Sequence, residues 1–268
     1  MDVDTREVEL LEDTLRKTML AKSGAELDAA LAELGWAEML TDSPDLAVPL
    51  VFRLLGETGS HASVLVDVVL NATGNRIGDT VELPLPYANN TWVVWDRSTD
   101  PRPSATLGGL PIFPEEEGYP IRIAEARVAV SWWLIGAARA MLNLARTHAL
   151  DRVQFGKPIA SFQAVRHRLA ETLAAIEGAE AILTLPAVDN PDLTALLAKA
   201  AAGKAALTAT RHCQQVLGGI GFTEEHDLHH HVERALVLDG LLGTSRELTR
   251  KAGAGLRARG SAPRLAQL

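Results

Sequence analysis

The chain has 268 residues, 47% hydrophobic and 22% charged, enough apolar content for one large core or two smaller ones. Its net charge of −8 and pI near 5.5 argue against nucleic acid or an anionic membrane surface as a partner. The single cysteine, Cys213, excludes an intramolecular disulfide and suits a reducing compartment. The acidic, polar start is not that of a signal peptide, and the apolar run 128–138, bracketed by Arg127 and Arg139, is too short to span a bilayer. The expected location is therefore the cytoplasm.

In chain order, residues 5–21 carry an amphipathic stripe of Val8, Leu11, Leu15 and Met19, which predicts a helix. A second helix is expected over 25–34, stopped by Gly35, and two short apolar helices over 46–56 and 61–70. Residues 72–120 change character: Gly, Pro and Asn punctuate the segment. Residues 81–85 and 91–95 carry strand formers, and Pro84 places the first at a sheet edge. Trp92 and Trp95 are expected in the core. Together these make a small, incomplete β region.

From residue 120 the pattern is helical. Helices are expected over 121–149, 161–185 and 190–217, with Asn190 as cap and Pro191 at the first position of the third, and a fourth over 229–252. Phe162, Val165, Leu169, Leu173 and Ile176 share one face of the second. The expected fold is mainly α. Residues 1–71 form an N-terminal helical region, 72–119 a remnant β region, 120–252 a four-helix bundle and 253–268 a flexible tail.

Two stretches carry chemistry. Residues 152–171 begin as a turn, since Gly156 and Pro158 are poor helix-interior residues, and then enter a helix. This places Arg152, Gln154, Phe155 and Gly156 at a helix entrance, where an anion or a flat ligand can be held. Read by itself, the stretch is better explained as an inter-helix turn with a surface arginine. Residues 213–228 contain Gly218, Gly219 and Gly221, which let another molecule approach the backbone, although a glycine-rich helix end is by itself a C-cap. Neither a P-loop nor a dinucleotide fingerprint fits the spacing. His226, His229, His230 and His231 cluster without the Cys or carboxylate set of a recognisable metal site, so no metal is expected. Cys213 has no identifiable base.

Taken together, Arg152-x-Gln154-Phe155-Gly156-x-Pro158-Ile159, Phe162-Gln163-x-Val165-x-His167-x-Leu169-Ala170-Glu171 and Gln215-x-x-Gly218-Gly219-x-Gly221-Phe222-Thr223-x-Glu225-His226 resemble the C-terminal helical domain of acyl-CoA dehydrogenases, from about residue 120 to the late 240s. The resemblance implies that Arg152 meets the pyrophosphate of an FAD held by a neighbouring subunit. Phe155 would lie near that cofactor, and Gln215, Gly218 and Gly219 would meet its adenosine side. Gln154 and Gln163 are lesser candidates. A guanidinium suits a diphosphate and glycines suit close backbone approach.

Two departures from the family pattern matter. Its reaction needs a carboxylate base, yet Leu242 stands at one family position for that base and Ala126 at the other. Glu125 and Asp239 are each displaced, Glu125 by one residue or about 100° of helix. The segment that wraps the flavin in the family's β domain is also missing. The resemblance thus implies a degenerate, non-catalytic subunit of a heteromeric bacterial acyl-CoA dehydrogenase of the steroid side-chain type. Such a chain would pair, as α2β2, with a full-length catalytic homologue that binds most of the acyl-CoA and shares its FAD. The alternatives are a self-sufficient dehydrogenase using Glu125 or Asp239, and a flavin-free scaffold.

Overall fold

The computed structural model describes residues 5–79, 82–97, 107–184 and 191–261. Its N-terminal helices are α1 (Thr5–Ala21), α2 (Ala25–Glu33), α3 (Trp36–Asp42), α4 (Pro44–Thr58) and α5 (Val64–Ala72). The expected positions hold for α1, α2, α4 and α5. The helix α3 was not expected: with seven residues it is too short to display a period, and it is held by tertiary contacts. Trp36 Nε1 donates to Asp67 Oδ2 at 3.0 Å, and Asp67 also pairs with Arg97 at 2.6 Å. This buried charge is satisfied from three directions, the third being the Gly78 N–H at 3.1 Å, as a carboxylate out of water requires.

Strands β1 (Pro84–Tyr87), β2 (Thr91–Trp95) and β3 (Ile112–Glu115) form an antiparallel sheet in the order β1-β2-β3. Pro84 lies on an edge strand, where its missing N–H costs no ladder bond, and pairs with Val94. The strand begins three residues later than expected, and Val81 lies outside the described residues. Trp95 is buried and its ring lies 6.2 Å from that of Trp133. Trp92 is half-buried.

Helices α6 (Ala124–Asp151), α7 (Gln163–Thr184) and α8 (Pro191–Leu217) follow, then α9 (Leu228–Gly240) and α10 (Ser245–Arg259). The helix containing the apolar run is α6. It is long and apolar enough to cross a membrane by length and composition, but 67% of that stretch is buried within the protein. It is the core helix, packed against α4, α7, α8 and α9. The expected cap Asn190 lies outside the described residues, and Pro191 opens α8.

Three expectations are corrected. The fourth bundle helix is two helices, because Leu242 (φ 62°) and Gly243 (φ 100°) break the chain and Thr244 starts α10 with a reciprocal capping box to Glu247. The second of these helices continues to Arg259, into the segment read as a tail. Leu173 is 44% exposed; its neighbour Thr172 turns inward instead, its hydroxyl lying 3.0 Å from His212 Nδ1.

Candidate functional site

Residues 153–158 close the gap between α6 and α7 as a two-stranded hairpin, β4 (Val153–Gln154) and β5 (Lys157–Pro158). Its two-residue turn, Phe155-Gly156, has φ of 55° and 78°, the doubly left-handed form that matches strand twist. Glycine adopts this form freely, whereas phenylalanine is strained in it. The Phe155 ring is 90% exposed, with its edge against Phe162 at 6.1 Å between centroids. Lys157 sits over the Phe162 ring at 4.7 Å. A strained residue presenting an apolar ring to solvent marks a surface built to meet something.

The second stretch is brought to the same end of the bundle. Thr172 on α7 faces His212 on α8, so in this antiparallel pair the start of α7 lies level with the turn after α8. That turn is a single 3₁₀ segment, Gly218–Phe222. Gly218 has φ 68°, and a Cβ at either Gly218 or Gly219 would meet nothing within 4 Å. The two glycines therefore leave open space beside the backbone. Gly221 differs: a Cβ there would press on the Gln214 carbonyl at 2.9 Å, so it serves packing. His148, in the last turn of α6, is electrostatically coupled to both His226 and Arg152, which links the two stretches.

Arg152, Gln154, Phe155, Gln163, Gln215 and Gly219 are exposed and Gly218 is half-buried. They lie at one end of the bundle, where α6 ends, α7 begins and α8 ends. An open face offering a guanidinium, side-chain amides, a ring and uncovered glycine backbone fits a diphosphate-bearing cofactor lying across it from another surface.

The candidate base positions differ in their surroundings. Leu242 and Ala126 are buried and neither can take a proton. The Leu242 backbone is clamped on both sides: its N–H donates to the Pro86 carbonyl at 2.7 Å, and its carbonyl accepts from Arg127 Nε at 3.2 Å. Asp239 is buried, and its Oδ1 accepts the Ser245 N–H at 3.1 Å. A Cβ on Gly203 would overlap that carboxylate, so Asp239 has a structural post. Glu125 lies at the start of α6 and pairs with Arg122 at 3.0 Å.

Sequence reasoning missed Lys199. It is completely buried, and Nζ donates to the carbonyls of Asp239 at 3.1 Å and Gly243 at 3.4 Å. Burial pushes its pKa down to about 8, with Asp239 opposing. The signal was present, since Lys199 falls between Ala195 and Ala202 on the buried alanine stripe of α8. The histidines divide by contact. His226 Nδ1 accepts the Leu228 N–H at 3.1 Å, His229 lies 3.2 Å from Glu233, and His231 is buried. Among the described residues no group of metal-ligating side chains converges.

Residues 121–255 match the family described as acyl-CoA dehydrogenase, C-terminal domain. The chain is 31% identical over 250 residues to "Acyl-CoA dehydrogenase IpdE2" of Mycolicibacterium smegmatis, covering 85% of this chain and 79% of that protein. This chain belongs to the acyl-CoA dehydrogenase family. The Mycobacterium tuberculosis protein of the same name is 32% identical over 254 residues, covering 87% of this chain and 79% of that one. Among solved structures, a chain of the ChsE4-ChsE5 complex from Mycobacterium tuberculosis matches with TM-score 0.70 and 19% identity, covering 98% of this chain and 100% of that one. A chain of the Tcur3481-Tcur3483 steroid acyl-CoA dehydrogenase variant matches with TM-score 0.72 and 16% identity over 95% of this chain and 98% of that one. These likenesses extend the family fold beyond the bundle to the N-terminal helices and the sheet. Members of the family are FAD-dependent.

Proposed function

We infer that this chain is a subunit of a heteromeric acyl-CoA dehydrogenase, completing an FAD site that lies mainly on a full-length catalytic homologue. The observation that carries the reading is the open face at the end of the bundle. There Phe155 stands 90% exposed and the Gly218–Gly219 backbone is uncovered, with Arg152 at the adjoining helix end. A chain lending them to a neighbour must leave them exposed until assembly. The exposed apolar residues Val153 and Phe222 flank the same face and suit a partner surface.

In the assembled complex Arg152 would hold the diphosphate, Phe155 would lie near the cofactor, and Gln215 with Gly218 and Gly219 would meet its adenosine side, with Gln154 and Gln163 as lesser contacts. FAD, when bound, would supply the hydride acceptor for the oxidation of an acyl-CoA to its 2,3-enoyl-CoA. We assign the base that takes the α-proton to the partner: Leu242 and Ala126 have no titratable group, the Asp239 carboxylate accepts the Ser245 N–H, and Glu125, one residue from the family position, pairs with Arg122. The likeness to a chain of the ChsE4-ChsE5 complex supports the pairing. The likeness to a chain of the Tcur3481-Tcur3483 steroid acyl-CoA dehydrogenase supports it too, and favours a steroid side-chain acyl group. The stoichiometry we propose is α2β2, in the cytoplasm.

The test is co-expression with a full-length homologue followed by an absorbance scan for flavin. The complex is expected to be yellow and the chain alone colourless. Arg152→Ala should cut FAD occupancy at least about tenfold, the loss of one charge-assisted contact. Unchanged occupancy and activity in that variant, or a yellow and active chain by itself, would overturn the reading.

A further inference from the structure

At the other end of α6 from the cofactor-facing turn, roughly 40 Å away at 1.5 Å per residue, lies a cavity of about 800 Å³. It is bounded by the beginnings of α4, α6 and α8 and the end of α7. Val48 and Pro49, Val128 and Trp132, Leu183 and Ala195 supply apolar walls. The volume is that of a small-molecule site, on the order of 300–1,000 Å³.

One acceptor at this cavity is short of a donor. One oxygen of Glu125 is held by Arg122 at 3.0 Å. The other is buried and has no hydrogen-bond partner among the described residues, an arrangement that native structures rarely leave unmet. The missing chemistry is therefore a hydrogen-bond donor carried on an apolar body.

The charges indicate that the donor is neutral. Three helix N-termini meet at the cavity, each favouring negative charge, but each already has an acidic residue in its first turn: Asp45, Glu125 and Asp192. An anionic ligand would meet these carboxylates. A cation is not required at Glu125, since Arg122 already compensates that carboxylate. We propose that this cavity binds a neutral apolar molecule bearing a hydroxyl group, with the O–H donating to the free oxygen of Glu125. The site lies apart from the flavin-facing end and stands or falls independently of it.

The probes are 1-hydroxypyrene and 1-methoxypyrene, alike in ring system and differing in the donor. They are titrated by fluorescence into the full chain, purified with its co-expressed partner where one is retained. The hydroxy probe should bind saturably at one site per chain and the methoxy probe about tenfold more weakly, the value of one hydrogen bond. Glu125→Ala should bring the two probes to within about twofold of each other by removing the acceptor. Val128→Trp, which intrudes on the apolar wall, should weaken both about tenfold, as displaced apolar contact requires; Leu183→Trp serves if that variant does not fold. Non-saturable binding, equal affinity of the wild type for both probes, or unchanged binding in the narrowed variant would overturn the proposal.

Discussion

Phe155 shows how much a single position reveals. Its left-handed φ of 55° suits asparagine or glycine at the first residue of a tight hairpin turn, and the ring gains almost no burial in exchange. Phe155→Asn should therefore raise the thermal stability of the chain, by about 1 kcal/mol from relieved backbone strain. The same change should lower flavin occupancy in the co-purified complex, because the ring is lost. A melting curve and an absorbance spectrum on one preparation separate the two effects. If stability rises and occupancy stays the same, the ring has no cofactor role. The residue types at 152–156 were legible in the sequence, since a turn must be built from residues that tolerate it. The positive φ of Phe155 was not, because nothing in a phenylalanine announces a left-handed backbone.

At the scale of elements, the break between α9 and α10 is the informative feature. The hydrophobic period from 229 to 252 runs on across it. Four contacts from elsewhere hold it open: Pro86 on the Leu242 N–H, Arg127 on its carbonyl, and Lys199 on the carbonyls of Asp239 and Gly243. The Asn89 N–H also reaches Glu247 Oε1 at 2.9 Å, tying the sheet's turn to the start of α10. Lys199→Met removes a buried donor and leaves the carbonyls of Asp239 and Gly243 without it. We expect it to cost about 2 kcal/mol at neutral pH in denaturant unfolding, the desolvation of acceptors left unpaired.

The pH dependence has a definite sign. Folding lowers the Lys199 pKa from 10.5 to about 8, so between those values the unfolded chain holds a proton that the folded chain has released. The contribution of Lys199 to stability therefore rises with pH across that window, and Lys199→Met should remove the rise. A parallel rise in wild type and variant would mean that other groups set it. The Thr244-x-x-Glu247 capping pair was a readable warning of a helix start, whereas the network behind it joins positions far apart in the chain.

For the whole molecule, the N-terminal helices and the bundle share one core. Phe52 lies edge-on to Trp133 at 5.8 Å between ring centroids, and Gly56 on α4 meets Gly136 on α6 with backbones in contact. A Cβ at Gly136 would fall 2.0 Å from the Arg53 carbonyl, and one at Gly56 2.3 Å from that of Trp133. Gly136→Ala cannot be absorbed by a side-chain rotation, since the obstacle is backbone. It should destabilise by about 3 kcal/mol, read as a lower denaturant midpoint for the whole chain in a single transition. A loss confined to one of two transitions would mean that the two regions unfold separately.

By itself the sequence determined the mainly helical class, the positions of the long helices and the small edge-stranded β region, because hydrophobic period and turn residues act locally. It also carried the two motifs that resemble the acyl-CoA dehydrogenase bundle, and the absence of a carboxylate at Leu242 and Ala126. Only the tertiary structure decided that those motifs share one exposed end of the bundle. It also decided that α9 and α10 are separate helices, that Lys199 lies at their junction and that a cavity opens beside Glu125. Each of these depends on groups distant in sequence meeting in space, where burial and unmet hydrogen bonds set the energy and local propensity does not.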